Sequence, residues 1–462
     1  MADRPTRFLI PAMVVLTLIT GVVSSLGAPL VPAIAEHEGV RLVSAQWALT
    51  GTLLTAAVSA PILGRIGAGR RRKPTIIVVL IVVVIGCLLA ALPLGFGGLV
   101  AGRVLQGLGF GVSPLAIAVV RDALDDERGR LAAATLSVAN VVSVGVGFPV
   151  AAGVAHLVGV KGAFGLAGAL ALVALVVAVW TVPGSAAVVA SGVDWVGAVL
   201  LGAATVAILL ALSRSGTWGY TDPRTVTLSG LGLLLGALCT WWLLRVHAPL
   251  VDLRLALRHG VIGANAAGLL AGIGMYLMMA MVVVLVQGGN DGGFGLRHSL
   301  PMAGLMMTPY AAASVVGNRL ALWLGPRIGP DLVLPVGCLL FACANLILAG
   351  WHDHLWQVAL VMAIGGLGSG ATFNAIPWLM LRVVPHHETS SALGFNMVMR
   401  FAGFATGSAL SVAVLAQHTD VTGHPVESGF VAGSLTGVVI SVAAALCCLF
   451  LARAAGRAAE VG

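Results

Sequence analysis

Fourteen apolar stretches, each about the roughly 20 residues that a helix needs to cross a hydrocarbon layer about 30 Å thick, run through this chain of 462 residues. They begin near Phe8, Ala45, Thr75, Gly98, Leu131, Ala163, Val193, Thr225, Val261, Ser299, Leu332, Leu355, Ser391 and Gly429, and charges, prolines and polar clusters separate them. In lipid no backbone polar group can go unpaired, so each stretch is read as a helix. Alternating strand patterning is absent. Composition removes the soluble alternative: 59% of residues are apolar, 9% are charged and the mean hydropathy is +1.04, too little charge to clothe a globule in water. The first stretch, Phe8 to Leu30, is too long for the core of a signal peptide and lacks a cleavage site, so it is expected to stay in the mature chain. All six cysteines lie in apolar stretches with no CxxC, which argues against both disulfides and a zinc site.

The basic residues orient the helices. With a cytoplasmic amino terminus, seventeen of the 25 Lys and Arg residues fall in inside loops and tails, including the run Arg70, Arg71, Arg72 and Lys73, and five fall outside. That asymmetry follows the positive-inside rule and places both termini in the cytoplasm. Trp47, Trp180, Trp195, Trp241, Trp242, Trp323 and Trp356 fall near predicted helix ends, where an amphipathic ring prefers the headgroup layer. The net charge of +8 is thereby explained by topology, without nucleic acid.

An internal repeat organises the fourteen helices. GLGFGVSPLAIAVVRDALDDERGR from Gly107 aligns without gaps on GSGATFNAIPWLMLRVVPHHETSS from Gly368, matching Gly107, Gly109, Arg121 and Glu127 to Gly368, Gly370, Arg382 and Glu388 at an offset of 261. These are the fourth and twelfth stretches, a displacement of eight helices. A doubling of seven would displace the repeat by seven; eight requires six helices, two inserted, then six more. The expected units are residues 1–184, a pair of inserted helices over 185–249, and 250–462. Parallel halves around a central path are a transporter architecture, with the site near the bilayer midplane.

At these residues the chain resembles a known family. WALTGTLLTAAVSAPILGRIGAGRRRK is similar to the second helix and loop motif of the major facilitator superfamily, in particular its fourteen-helix drug:H⁺ antiporter branch. GRVLQGLGFGV resembles the fourth-helix motif of that branch and GVGFPVAAG its antiporter motif. PLVDLRLALRHGVIGANAAGLL resembles the entrance to the ninth helix and VPHHETSSALGFNMVMRFAGFATGSA the thirteenth-helix region. The implied fold is all-α: two six-helix bundles plus two inserted helices. The chain departs from the pattern where Ala68 replaces the loop acid, Arg71 replaces a glycine, and Leu322 stands at the acid's place in the second copy, NRLALWLGPRIG. In the family the loop acid and arginines latch the halves; here a latch is expected to use arginines against helix carbonyl ends, involving Gly64, Arg70, Arg71, Arg72, Lys73 and Arg327. For the basic run, a pure topology signal is the alternative.

Polar residues inside apolar stretches are the candidates for function. Arg103 shares a helix face with Gln106 and either faces the bundle interior, where the resemblance implies proton relay or cavity shaping, or snorkels to the headgroups. Arg400 lies nine residues into its stretch, one turn from Asn396, too deep for easy snorkelling. Asn140, Asn265, Asn345 and Asn374 are either substrate donors or interhelical glue, with Asn374 favoured by its family-like NAIP. Gly145, Gly147, Pro149 and Gly153 allow close packing and a kink, and the antiporter resemblance adds a conformational role. Methionines from Met275 to Met307 suit an adaptable apolar wall or ordinary packing. No carboxylate falls at mid-membrane, which leaves Asp122, beside Arg121, as the candidate proton carrier or else a salt link within its own loop.

The expected function is that of a multi-pass secondary transporter in the plasma membrane, exporting small amphipathic neutral or anionic compounds, with H⁺ as coupling ion and the lipid bilayer as partner. No cofactor, metal or nucleic acid is expected, and the chain is expected to act as a monomer. The alternative within transport is a facilitator or importer with little coupling. An enzyme or an ATP-driven pump is disfavoured by the lack of HExxH, GxSxG, Walker A and CxxC motifs and of any long extramembrane segment.

Overall fold

The computed structural model describes all residues except 1–7, 68, 125, 185–193, 220, 247–248, 251–252, 257–260, 290–294, 384–388, 420–424 and 462. The first span is built from α1 (Leu9–Ser25) and α2 (Gly27–Glu38), the second from α3 (Leu42–Ala45) and α4 (Trp47–Ile66), and the third from α5 (Arg72–Ala91). The fourth joins α6 (Gly95–Gln106) to α7 (Val112–Ala123) through a 3-10 turn at Gly107–Gly111. After α8 (Asp126–Thr181) come the pair α9 (Trp195–Trp218) and α10 (Pro223–Arg245), the short α11 (Leu253–Ala256) and α12 (Val261–Gln287). The chain ends with α13 (Leu300–Leu305), α14 (Thr308–Ile328), α15 (Pro330–Gly350), α16 (Leu355–Val383), α17 (Thr389–Gln417) and α18 (Glu427–Val461).

Twelve of these elements are long and apolar enough to cross a membrane, and the bent pair at the start makes a thirteenth. The fourteenth sequence stretch is hidden in α8. At about 1.5 Å per residue a straight helix of 56 residues would be far longer than a bilayer is thick. It breaks at Gly159, whose φ of 78° and ψ of 172° are open to glycine and strained for any other residue, and the fifth and sixth stretches lie on either side. In the first span, Leu9–Ser25 and Pro29–Glu38 meet at 49°. Pro29 has no N–H to offer the Ser25 carbonyl one turn back, so the bend leaves carbonyls at the end of α1 open to other donors.

Helices α1 to α8 pack on one another, as do α12 to α18. The two groups meet where α2 packs on α12 and α13, α4 on α17, and α8 on α13 and α14. The pair α9–α10 lies beside this seam, with α9 against both α4 and α17. Asp194 fastens the pair: its carboxylate accepts from Gly197 N at 2.8 Å, Trp242 Nε1 at 2.9 Å and Leu250 N at 3.2 Å, joining the start of α9 to the end of α10 and the segment beyond. Large apolar side chains such as Val78, Ile85, Leu88, Leu233, Leu234 and Val439 stand exposed, as a lipid-facing surface requires.

Candidate functional site

The fourth span brings Arg103 into the interior, fully buried, and not to the headgroups. Its Nε donates to the Ala48 carbonyl at 3.1 Å, one terminal nitrogen to the Val23 carbonyl at 3.3 Å and to Gln106 Oε1, and the other to the Ser24 carbonyl at 3.1 Å. Val23 and Ser24 end α1, just where the first span bends. Arg103 therefore fills the carbonyls that the bend leaves open and ties the first, second and fourth spans together. Thr52 adds a bond to the Arg103 carbonyl at 3.0 Å, and Ser24 one to the Gln106 carbonyl at 3.2 Å. A methyl at Gly27 would overlap the guanidinium, so the smallest residue is needed there.

Arg400, on α17, sits in a different environment. The rings of Phe373, Phe401 and Phe404 lie 5.1, 5.7 and 5.9 Å from its guanidinium carbon. Among the described residues its one polar side-chain contact is the sulfur of Met397 at 2.8 Å, a weak acceptor, and its buried Nε has no partner. Tyr276 stacks on Phe404 at 4.5 Å and lies within electrostatic reach of both Arg400 and Arg103. Tyr310, also within reach of Arg400, has a buried hydroxyl beside Ser369 without a well-directed hydrogen bond. From the other helical group Phe110 closes on Phe401 at 5.1 Å. Arg103 and Arg400 thus lie on the two sides of one seam, with Tyr276 within electrostatic reach of both.

No described acid balances them. Among the described residues every Asp and Glu is at a helix end or in a connecting segment: Glu36, Glu38, Asp122, Asp126, Glu127, Asp194, Asp222, Asp331, Asp353, Glu427 and Glu460. Next to Tyr276 the seam opens into a narrow cavity of about 30 Å³. Its walls are mainly apolar, with Pro29, Phe148, Met279, Val283 and Met307 among them, and Gln46 and Ser411 as polar points. Beside it Gln46 Nε2 donates to Ser408 Oγ, and Thr50 Oγ1 lies 3.4 Å from the same hydroxyl, so α4 and α17 are pinned across the seam.

The other candidates disperse. Asn396 and Asn265 come together between α17 and α12, Asn396 Nδ2 donating to Asn265 Oδ1 at 3.3 Å and to the Ala264 carbonyl at 3.0 Å. Asn140 lies at the contact of the fifth span with Gly21, its carbonyl accepting from Ser143 Oγ at 2.6 Å, and Asn345 donates to the Phe341 carbonyl at 2.9 Å within α15. The side chains of Asn374 and Arg382, and the residues Glu388 and Ala68, lie outside what the structure describes. Gly145 faces Ala311 across the seam too closely for any side chain; Gly147 faces Val22 and Ser25; Pro149 backs on Gly304; Gly153 has open space. Met279 and Met307 reach the cavity, whereas Met278 packs on Gly365 and Met281 on Gly433.

The basic run divides as well. Arg70 and Arg71 are exposed, Gly64 in the last turn of α4 has open space beside it, and Arg327 curls onto Trp323, with its carbonyl at 2.6 Å and its ring at 3.8 Å. Arg72 alone reaches across, to the Ala118 carbonyl at 3.1 Å, the Gly67 carbonyl at 3.3 Å and the Asp122 carboxylate. The expectation of an arginine on helix carbonyls is thus incomplete: Asp122 supplies an acid from the fourth span, and its partner is the first residue of α5, not one within its own loop.

Tyr276, Tyr310, Phe373, Phe401, Phe404, Gln46 and Ser408 were not singled out by sequence. The tyrosines carried a usable signal, since only three occur in the chain and two of them stand in apolar stretches.

An all-helical bundle of two packed helical groups, with a polar seam between them, defines a multi-pass transport protein. The family model described as Major Facilitator Superfamily matches residues 13–290 and 266–461, and the chain belongs to that superfamily and has its fold. It is 28% identical over 407 residues to a uridine/deoxyuridine transporter of Lactococcus lactis subsp. cremoris (strain MG1363), covering 83% of this chain and 82% of the relative. To a methylenomycin A resistance protein of Bacillus subtilis (strain 168) it is 26% identical over 368 residues, 78% of this chain and 76% of the relative. In fold it resembles the crystal structure of a peptide transporter POT in complex with sulfate, at a TM-score of 0.70 and 15% identity, over 97% of this chain and 95% of the other.

Proposed function

We propose that the chain exports small amphipathic neutral or anionic compounds across the plasma membrane by alternating access, as a monomer of the fourteen-helix drug:H⁺ antiporter branch. In this reading residues 1–184 and 250–462 are the rocking halves, 185–249 are the inserted pair, and both termini are cytoplasmic. The observation that carries the substrate class is a seam with no acid among the described residues: two arginines within reach of Tyr276, which also lines the apolar cavity, give a cationic drug no counter-ion, and a buried unpaired cation is penalised by several kcal/mol. Export is supported by the packing of the GVGFP stretch, in which Gly145 and Pro149 meet α13 and α14, and by the relative named for antibiotic resistance.

A second reading, a facilitator or importer with little proton coupling, is favoured by the same lack of a mid-membrane carboxylate. Inverted vesicles separate the two. Accumulation of an acidic amphipathic dye that rises with an imposed pH gradient, and collapses with an uncoupler, supports antiport. Equilibration unaffected by the gradient supports the facilitator, and robust efflux of a permanently charged dication, unchanged by Arg400→Ala, overturns the substrate class.

A further inference from the structure

Arg400 has binding capacity that its surroundings leave unused. A guanidinium presents five N–H donors in a rigid planar fork, and here the directional contact is one thioether sulfur while Nε is buried without an acceptor. Three phenylalanine rings offer their electron-rich faces to the charge, but a ring face does not replace a hydrogen-bond acceptor for Nε. No described carboxylate lies close enough to form an ion pair with it. The Tyr310 hydroxyl, in the same cluster, is a second polar group without a well-directed partner. A donor fork, a hydroxyl within its electrostatic reach and a wall of rings are therefore gathered in one cluster.

We propose that this cluster, Arg400 and Tyr310 with Phe373, Phe401, Phe404 and Tyr276, binds an aromatic monocarboxylate, the carboxylate on the guanidinium and the ring system among the aromatic side chains. The inference rests on the seam being the transport path and narrows the substrate class given for it. A carboxylate matches the fork because its two oxygens accept two parallel N–H bonds, which the single point of a halide cannot do. One negative charge is favoured over two because Arg103, the other cation at the seam, already gives its donors to the Val23, Ser24 and Ala48 carbonyls and to Gln106. A second carboxylate would be buried without a partner. An aromatic body is favoured over a saturated one by the offset and edge-on geometries already present, with Tyr276 on Phe404 at 25° and Phe401 on Phe404 at 89°.

The probe is 2-naphthoate, titrated into the purified full-length protein in lipid nanodiscs, with empty nanodiscs subtracted. Three analogues accompany it: the uncharged 2-naphthamide, the saturated decahydro-2-naphthoate and the dianion naphthalene-2,6-dicarboxylate. Naphthoate is expected to bind about 10- to 100-fold more tightly than the amide, the span for a charge-assisted hydrogen bond, and several-fold more tightly than the saturated acid. The dianion binds more weakly than the monoanion. In Arg400→Gln the preference for naphthoate over the amide disappears, Arg400→Lys keeps part of it, and Tyr310→Phe lowers affinity a few-fold.

Equal binding of naphthoate and naphthamide to the native protein overturns the proposal even where no variant folds, and so does naphthoate binding unchanged in a folded Arg400→Gln. Vesicle transport of the same probe keeps the two readings apart. Naphthoate that binds through Arg400 but is not moved leaves the site standing and removes the exporter reading. Transport of other amphipathic compounds, with no Arg400-dependent binding of naphthoate, does the reverse.

Discussion

Arg103 and Arg400 are the same side chain in the same bilayer, one on each side of the seam, and they are stabilised in opposite ways. The first has its guanidinium closed off by three carbonyls and an amide oxygen; the second is surrounded by rings and a sulfur, with a donor left over. Arg103 is fully buried and Arg400 partly so, and taking a guanidinium out of water is costly in both places. The Arg103 surroundings repay that cost with hydrogen bonds, so the residue acts as a structural tie across a bent helix. Around Arg400 the cost is only partly offset, at about 0.5 to 2 kcal/mol for each favourable ring contact. An incompletely satisfied cation is what a ligand site needs and what a structural tie must avoid.

Substitutions can break that contrast or sharpen it. Arg103→Ala strips donors from the Val23, Ser24 and Ala48 carbonyls at once, and a loss of about 3–5 kcal/mol is expected, read as a large drop in the thermal unfolding temperature in detergent. Arg103→Lys rescues little of it, because an ammonium cannot reach three divergent oxygens as a fork does. If Arg103→Ala unfolds at the native temperature, the tie is not structural and the two arginines are alike after all.

Gly27→Ala probes the same tie from its other side. The added methyl displaces the guanidinium from Ser24, with an expected loss of about 1–3 kcal/mol. Arg400→Met should by contrast change stability by no more than about 1 kcal/mol in either direction, since the loss of ring contacts is set against removal of a buried unpaired donor. Its effect belongs in transport, with acidic substrates lost first. Unfolding of Arg400→Met as severe as that of Arg103→Ala would erase the distinction.

Asp122→Asn is the smallest perturbation. Asp122 is half exposed, so its bond to Arg72 contributes about 0–1 kcal/mol. The informative readout is transport driven by a pH gradient. Intact pH-driven transport assigns Asp122 to the Arg72 tie alone; loss of the pH response with the protein still folded assigns it to proton coupling.

Much of the architecture was legible in the chain itself. Fourteen apolar stretches specify helices because lipid offers no other partner for the backbone, and length alone sets how many residues each crossing takes. Even the break in α8 is written locally, at the one residue type that tolerates the φ of Gly159. The depth of Arg400 in its stretch argued against snorkelling, whereas the bend of the first span at Pro29 was not singled out. These are properties of consecutive residues, and a linear pattern carries them fully.

What surrounds each polar group is a different kind of fact. Arg103 and Arg400 look alike in sequence, each a single arginine with an amide three or four residues away, Gln106 and Asn396. Tertiary packing turned Gln106 toward its arginine, and Asn396 away, toward Asn265 and the Ala264 carbonyl on α12. It also paired Asp122 with Arg72, 50 residues distant, and gathered Phe373, Tyr276 and Tyr310 from three helices around one guanidinium. Helix formation depends on hydrogen bonds between residues four apart, so sequence determines it. Whether a buried charge is satisfied depends on atoms brought from other helices, and only the packed bundle decides that.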